Sequence, residues 1–195
     1  MKRTTIILLL LLFLTSLTAA EAINESRYWT INNYNIRATM NEDGVFFVEE
    51  SISVTFHGQY HGIVKTIPAT NDVRNLKCSA PFVVETEGGN LAIKMGDSDV
   101  LVTGPTEYHI SYDMDPRFTG ECVYSIPGTW SVDVNNLSFS LKVPKDKFYM
   151  VAMVIGDLLP SGKSFETSED SEGNLIINGF ASCIPAYGYL EIILR

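Results

Sequence analysis

Glu50 has the strongest claim on chemistry in this chain. In VFFVEESISVTF (Val45 to Phe56), alternate positions put Phe46, Val48, Glu50, Ile52, Val54 and Phe56 on one face of a strand, so a carboxylate stands where an apolar side chain belongs. A carboxylate there is costly to bury unless a cation or hydrogen-bond donors meet it. Lys65, on the next expected strand beyond a short connection, is the natural partner. The expected contact is a Glu50–Lys65 ion pair, partly buried between adjacent strands, fixing the register. A carboxyl so placed could also act as a general acid or base. Against that role, the neighbouring acid Glu49 points to the opposite face of the same strand.

The stretch GQYHGIVKTIP (Gly58 to Pro68) follows directly, with His57 just before it. His57 and His61 fall in or beside an expected loop, where a spacing of four does not bring two imidazoles to one face as it would on a helix. His109 alternates outward from the Tyr108/Ile110 strand. A metal site needs a third ligand and supporting groups, which Asp72 or Asp97 could supply only by accident of folding. No metal or cofactor is expected. The stretch reads as a strand connection and its following strand, with His57, His61 and Gly62 as a candidate interaction loop. Gly62 admits a φ that other residues resist, and Pro68 ends the strand.

Other candidates have simpler explanations. Gly96-Asp97-Ser98-Asp99 has the oxygen density of a calcium loop but lacks the later ligands, so a solvated turn is expected. No Gly-x-Ser-x-Gly elbow occurs. Trp130 with Tyr108, Tyr112, Tyr187 and Tyr189 could form a platform for carbohydrate or peptide, but at strand spacing they belong to a core. Cys78, Cys122 and Cys183 are an odd set without the spacing of a zinc site. One disulfide and one free or intermolecular thiol is expected, with the pairing open.

The elements that must position these residues lie beyond an N-terminal leader. Lys2 and Arg3, the apolar run Ile6 to Leu14 and Ala20-Glu21-Ala22 make residues 1–22 a secretory signal peptide cut near Ala22. No later stretch reaches the ~18 apolar residues of a membrane span. The formal net charge of −9 leaves no basic patch for a nucleic-acid backbone or an anionic membrane surface.

Period-two alternation runs through residues 23–195, and no window carries a helical stripe. Tyr28 to Thr39, the turn Asn41-Glu42-Asp43-Gly44 and the Glu50 run make a hairpin. Tyr108, Ile110 and Tyr112 share one face; Leu137, Phe139, Leu141 and Val143 share another; Tyr149 to Ile155 and Tyr187 to Leu194 are apolar strands. Turns are expected at Glu87-Gly88-Gly89-Asn90, Gly104-Pro105 and Glu172-Gly173-Asn174, and Ser161 to Gly173 reads as a mobile loop. Short strands at this spacing predict an all-β fold with little helix: one β-sandwich domain over 23–195, immunoglobulin-like or a related two-sheet architecture.

Four segments in order, DGVFFVEESISVTF, HGIVKTIP, IKMGDSDVLVTGPTEYHISYDM and PGTWSVDVNNLSFSLKVP, give the chain a family resemblance over residues 28–144. It resembles the N-terminal domain of a bacterial family of predicted membrane proteins, the domain of unknown function 2207 family. The shared pattern falls on Asp43, Gly44, Val48 and Glu50; on His61, Gly62, Lys65, Ile67 and Pro68; on Gly96, Asp97, Asp99 and Gly104; and on Gly128 and Trp130. The family's Arg is Lys65 here, a point charge in place of a bidentate fork. The resemblance implies an extracytoplasmic β-domain, of bacterial origin, related to domains that sit beside a membrane. It implies no activity.

The leading expectation is a non-enzymatic interaction module of the bacterial envelope or exterior, periplasmic or secreted, holding an envelope protein, a membrane protein among the candidates, by a sheet edge or face. Its rival is an extracytoplasmic hydrolase or glycan-binding protein using Glu50 with Glu49 or Asp97. A third expectation is an adhesin stabilised by calcium at Asp97 and Asp99.

Overall fold

The computed structural model describes residues 27–68, 71–116, 122–126, 130–144, 151–155, 162–188 and 190–194. The leader 1–22 lies outside them, as do Tyr189 and the side chain of Cys122. All regular structure in the described residues is β: β1 (Tyr28–Met40), β2 (Phe46–Tyr60), β3 (Gly62–Pro68), β4 (Asn71–Cys78), β5 (Phe82–Glu87), β6 (Asn90–Gly96), β7 (Val102–Pro116), β8 (Cys122–Ile126), β9 (Val134–Val143), β10 (Val151–Ile155), β11 (Gly162–Glu169), β12 (Leu175–Ile184) and β13 (Leu190–Leu194).

A seven-stranded sheet runs in the order β11-β12-β9-β1-β2-β7-β4, and two three-stranded sheets run β3-β6-β5 and β10-β13-β8. The large sheet is mixed, because β1 and β9 run parallel while its other described pairs are antiparallel. Its apolar face supplies Tyr34, Phe46, Ile52, Phe56, Leu137, Leu141 and Ile177 to one core cluster. Ile63, Ile67, Ile93 and Met95 join that cluster from the sheet of β3 and β6, and Ile192 joins it from β13. The sandwich architecture follows from the alternation: each strand has one greasy face, and facing sheets bury it.

The hairpin turns are built on side-chain caps. Asn41 Oδ1 accepts from the backbone N–H of Asp43 and Val45, while Gly44 N–H donates to Asn41 O. Asp170 repeats the device between β11 and β12, accepting from Glu172 and Asn174 with Gly173 N–H on its carbonyl. In both turns the glycine has positive φ (87° at Gly44 and 83° at Gly173), where side chains resist.

Three expectations need correction. Most of the loop expected at Ser161 to Gly173 is a strand: β11 (Gly162–Glu169) pairs antiparallel with β12 through Glu169↔Leu175 and forms an edge of the large sheet. Its sequence is polar because an edge strand can be, with Phe165 packed against the core. Gly104-Pro105 is not a turn but part of β7, across from an irregularity in β2 between Phe56 and Tyr60, with Gly104 at φ 73°. Tyr187 is in a turn before the last strand, held by Gly188 N–H on Pro185 O and Tyr187 N–H on Trp130 O.

Candidate functional site

Glu50 sits at the centre of the large sheet's inner face and is 4% exposed. Register puts it opposite Ile36 on β1 and Ile110 on β7. Tyr34 and Tyr112 occupy diagonal positions on those strands, within reach of long aromatic side chains. Tyr34 donates its hydroxyl to Glu50 Oε2 at 2.5 Å, and Tyr112 donates to Glu50 Oε1 at 2.6 Å. Both carboxylate oxygens therefore hold short bonds to phenols on neighbouring strands.

The cation comes from the facing sheet. Lys65 Nζ lies 2.9 Å from Glu50 Oε2 and donates to the Tyr34 hydroxyl at 2.6 Å. It also lies 5.3 Å from the ring centroid of Tyr34 and 5.7 Å from that of Trp130, so aromatic faces cover the ammonium. The pair thus spans the sandwich interior, where adjacent strands of one sheet were expected to carry it. The reason lies at the end of β2: the chain leaves the large sheet at Tyr60, turns at His61 and enters the small sheet as β3. Lys65 is 4% exposed, on the same inward face of β3 as Ile63 and Ile67.

That corner explains Gly62. Gly62 pairs with Gly96 across β3 and β6 at φ 138° and 137°. A Cβ at Gly62 would lie 1.9 Å from Met95 O, and one at Gly96 would lie 1.9 Å from His61 O. The expected interaction loop is therefore a strand end and a corner. His57 lies within β2, stacked on Tyr28 with centroids 4.1 Å apart, and His61 is the single exposed residue between β2 and β3.

The remaining candidates separate. Asp97 closes a turn, its carboxylate accepting from Asp99 N–H at 2.9 Å. Among the described residues no group of three or more His, Cys, Asp or Glu could hold a metal. Trp130, Tyr108 and Tyr112 are buried while Tyr187 is exposed, so these aromatics form no common platform. Cys78 and Cys183 are both free thiols, so the expected disulfide does not join those two. Sequence reasoning paired Glu50 with Lys65 and missed Tyr34, Tyr112 and Trp130 around them. The signal was the tyrosine hydroxyl itself, which seeks a partner when a core strand buries it. The Trp130 Nε1 donor is buried without a partner among the described residues.

Glu85 and Glu87 occupy the outer face of β5, an edge strand of the small sheet. Lys94 on β6 bridges them at 2.7 and 3.0 Å, and both contacts hold its ammonium pKa above the ordinary value. Phe82, Val83 and Val84 on the same strand are 37%, 58% and 41% exposed. An edge with three exposed apolar residues is unusual for a natural sheet, which ordinarily blunts its edges.

This chain belongs to the family described as Predicted membrane protein (DUF2207) N-terminal domain, whose model matches residues 30–191. The match extends beyond residue 144, where the sequence segments ended, into β13. No helix of the described residues is long and apolar enough to cross a membrane. No curated protein matches the chain. Among solved structures, a candidate protease from Parabacteroides distasonis is similar, with TM-score 0.58 and 12% identity over 86% of this chain and 40% of its own. The M1 zinc metallopeptidase from Deinococcus radiodurans follows with TM-score 0.51 and 11% identity over 86% of this chain and 42% of its own. Yeast LTA4 hydrolase has TM-score 0.50 and 14% identity over 85% and 29%. At these identities the likeness is one of fold, and the chain spans less than half the length of each.

Proposed function

We propose that this domain is a non-enzymatic protein-binding module of the bacterial envelope, exported by residues 1–22 and working outside the cytoplasm. The observation that carries the proposal is the β5 edge, where Phe82, Val83 and Val84 are exposed on a strand with a neighbour on one side only among the described residues. An extended segment of a partner can add there as a further strand, gaining main-chain hydrogen bonds and covering apolar surface. Membership in a family of predicted membrane proteins supports an envelope partner, a membrane protein among the candidates.

The closed state of Glu50 weighs against the hydrolase rival. Its carboxylate is committed to Tyr34, Tyr112 and Lys65 inside the sandwich, with no second acid among those contacts. The three similar structures carry peptidase or hydrolase names, but this chain covers 29% to 42% of them, so their chemistry does not transfer with the fold.

The test is affinity capture from solubilised envelope with the domain over residues 23–195, beside a Val83→Lys/Val84→Lys variant whose charges block strand addition. A specific partner retained by the parent protein and lost by the variant supports the proposal. Equal capture by both, or turnover of a peptide or glycan substrate abolished by Glu50→Gln, overturns it.

A further inference from the structure

We infer a second binding surface, independent of the β5 edge: a groove on the outer face of the large sheet that takes a short polyhydroxylated anion, an acidic saccharide. The groove has a volume of about 620 Å³ and crosses β1, β2, β7 and β4. Register assembles its floor. Arg37 stands opposite Glu49, Glu49 opposite Ser111, and Ser111 opposite Lys77, one row straight across four strands. A parallel row runs through Asn35, Ser51 and His109. Ser79 completes it, its hydroxyl accepting from His109 N–H and its N–H donating to His109 O, each at 2.9 Å.

The charges in the first row are uncommitted. Arg37, Glu49 and Lys77 make no side-chain hydrogen bond or ion pair among the described residues. In a chain with 23 acidic and 14 basic residues, a cation finds carboxylates easily. Arg74, Lys94 and Lys142 each contact two. Arg37 stays unpaired although Glu49 is its direct cross-strand neighbour, a position that favours opposite charges. Three strand spacings separate Arg37 from Lys77, roughly 14 Å, more than one small anion can bridge. A ligand with negative groups toward both ends meets both cations at once.

Between the cations lies hydrogen-bonding capacity suited to hydroxyls. The Ser111 hydroxyl and the Glu49 carboxylate are free among the described residues. Asn35 uses its carbonyl oxygen to accept from Ser138 at 2.5 Å, which leaves its amide donors for a ligand. Ser51 Oγ lies 2.9 Å from His109 Nδ1 and donates to Glu107 at 3.2 Å, so its oxygen and the imidazole are oriented in advance. Small-molecule pockets are ordinarily lined by apolar side chains; the two residue rows that floor this groove are polar or charged throughout. A peptide would bring apolar side chains with nowhere to go, whereas an acidic sugar matches amide, hydroxyl, guanidinium and ammonium groups together.

The test is calorimetric titration of residues 23–195 with trigalacturonate, against a neutral trisaccharide, triglutamate and inorganic phosphate. Saturable binding of trigalacturonate that weakens about tenfold or more in Arg37→Ala and in Lys77→Ala, and weakens with added salt, is expected; each factor of ten corresponds to 1.4 kcal/mol. Both residues are exposed, so the variants should melt with the parent. Absence of saturable binding, equal binding of triglutamate or phosphate, or indifference to both substitutions overturns the assignment.

Discussion

Glu50 and Lys65 meet at 2.9 Å from facing sheets, with the Tyr34 hydroxyl accepting from Lys65 and donating to Glu50. Two short contacts of Lys65, to Glu50 and to Tyr34, thus cross the sandwich, and the Tyr34–Glu50 bond ties their ends together within the large sheet. Removing two charges from water is expensive, and their attraction offsets the expense only when the remaining lone pairs and protons are satisfied. Tyr112 on the second carboxylate oxygen and aromatic faces over the ammonium meet that condition. The pair also specifies how the sheets dock, since a one-residue slip of β2 would turn Glu50 to solvent and strand Lys65.

The phenols contribute unequally. Tyr112→Phe removes one donor from a buried carboxylate and should destabilise the fold by about 1–3 kcal/mol. Tyr34→Phe should cost more, because that hydroxyl serves Glu50 and Lys65 together. Urea unfolding midpoints check the order; equal and negligible losses would detach the phenols from the pair.

Gly62→Ala should be severe. The new methyl would fall 1.9 Å from Met95 O, and φ 138° is already strained for a side chain. The strained backbone alone contributes about 1–3 kcal/mol. Gly88→Ala is the control: nothing lies within 4 Å of its Cβ, so only the left-handed φ of 57° is penalised, by about 1–2 kcal/mol. Thermal melts of the two variants should therefore differ clearly, with Gly62→Ala the lower.

Acid should loosen the β11–β12 hairpin first. Lys142 beside Asp170, then the Asn174 side chain, hold the Asp170 carboxyl well below the usual carboxylate range. A depressed folded value means stability present above the unfolded value of 3.8 and lost as pH falls toward the folded one. Amide protection factors in β11 and β12, exchange taken relative to its intrinsic rate at each pH, should be steady from about pH 7 to 5 and fall below about pH 4. Asp170→Asn should remove that pH dependence; its persistence would place the effect elsewhere.

The sequence made the strands legible because one buried face imposes alternation, and Glu50 stood out as the break in it. Lys65 was legible as a partner because it falls on the next strand beyond a short connection. Its place on the facing sheet was not, since nothing local distinguishes a hairpin from a corner; Gly62 and Gly96 create the corner only by meeting each other. β11 was missed because an edge strand need bury little, and Phe165 alone does not make a pattern. The row Arg37, Glu49, Ser111 and Lys77 exists only through register across four strands, which no single segment encodes.

The most direct measurement is a denaturation cycle on the internal pair: the parent protein, Glu50→Leu, Lys65→Met and the Glu50→Leu/Lys65→Met double variant. Each single change leaves a buried charge without its partner and should lose about 3–5 kcal/mol, while the double variant should recover part of it, because the Tyr34 and Tyr112 hydroxyls have lost their carboxylate acceptor. Single variants that unfold at the parent's urea concentration would contradict the pair's structural role.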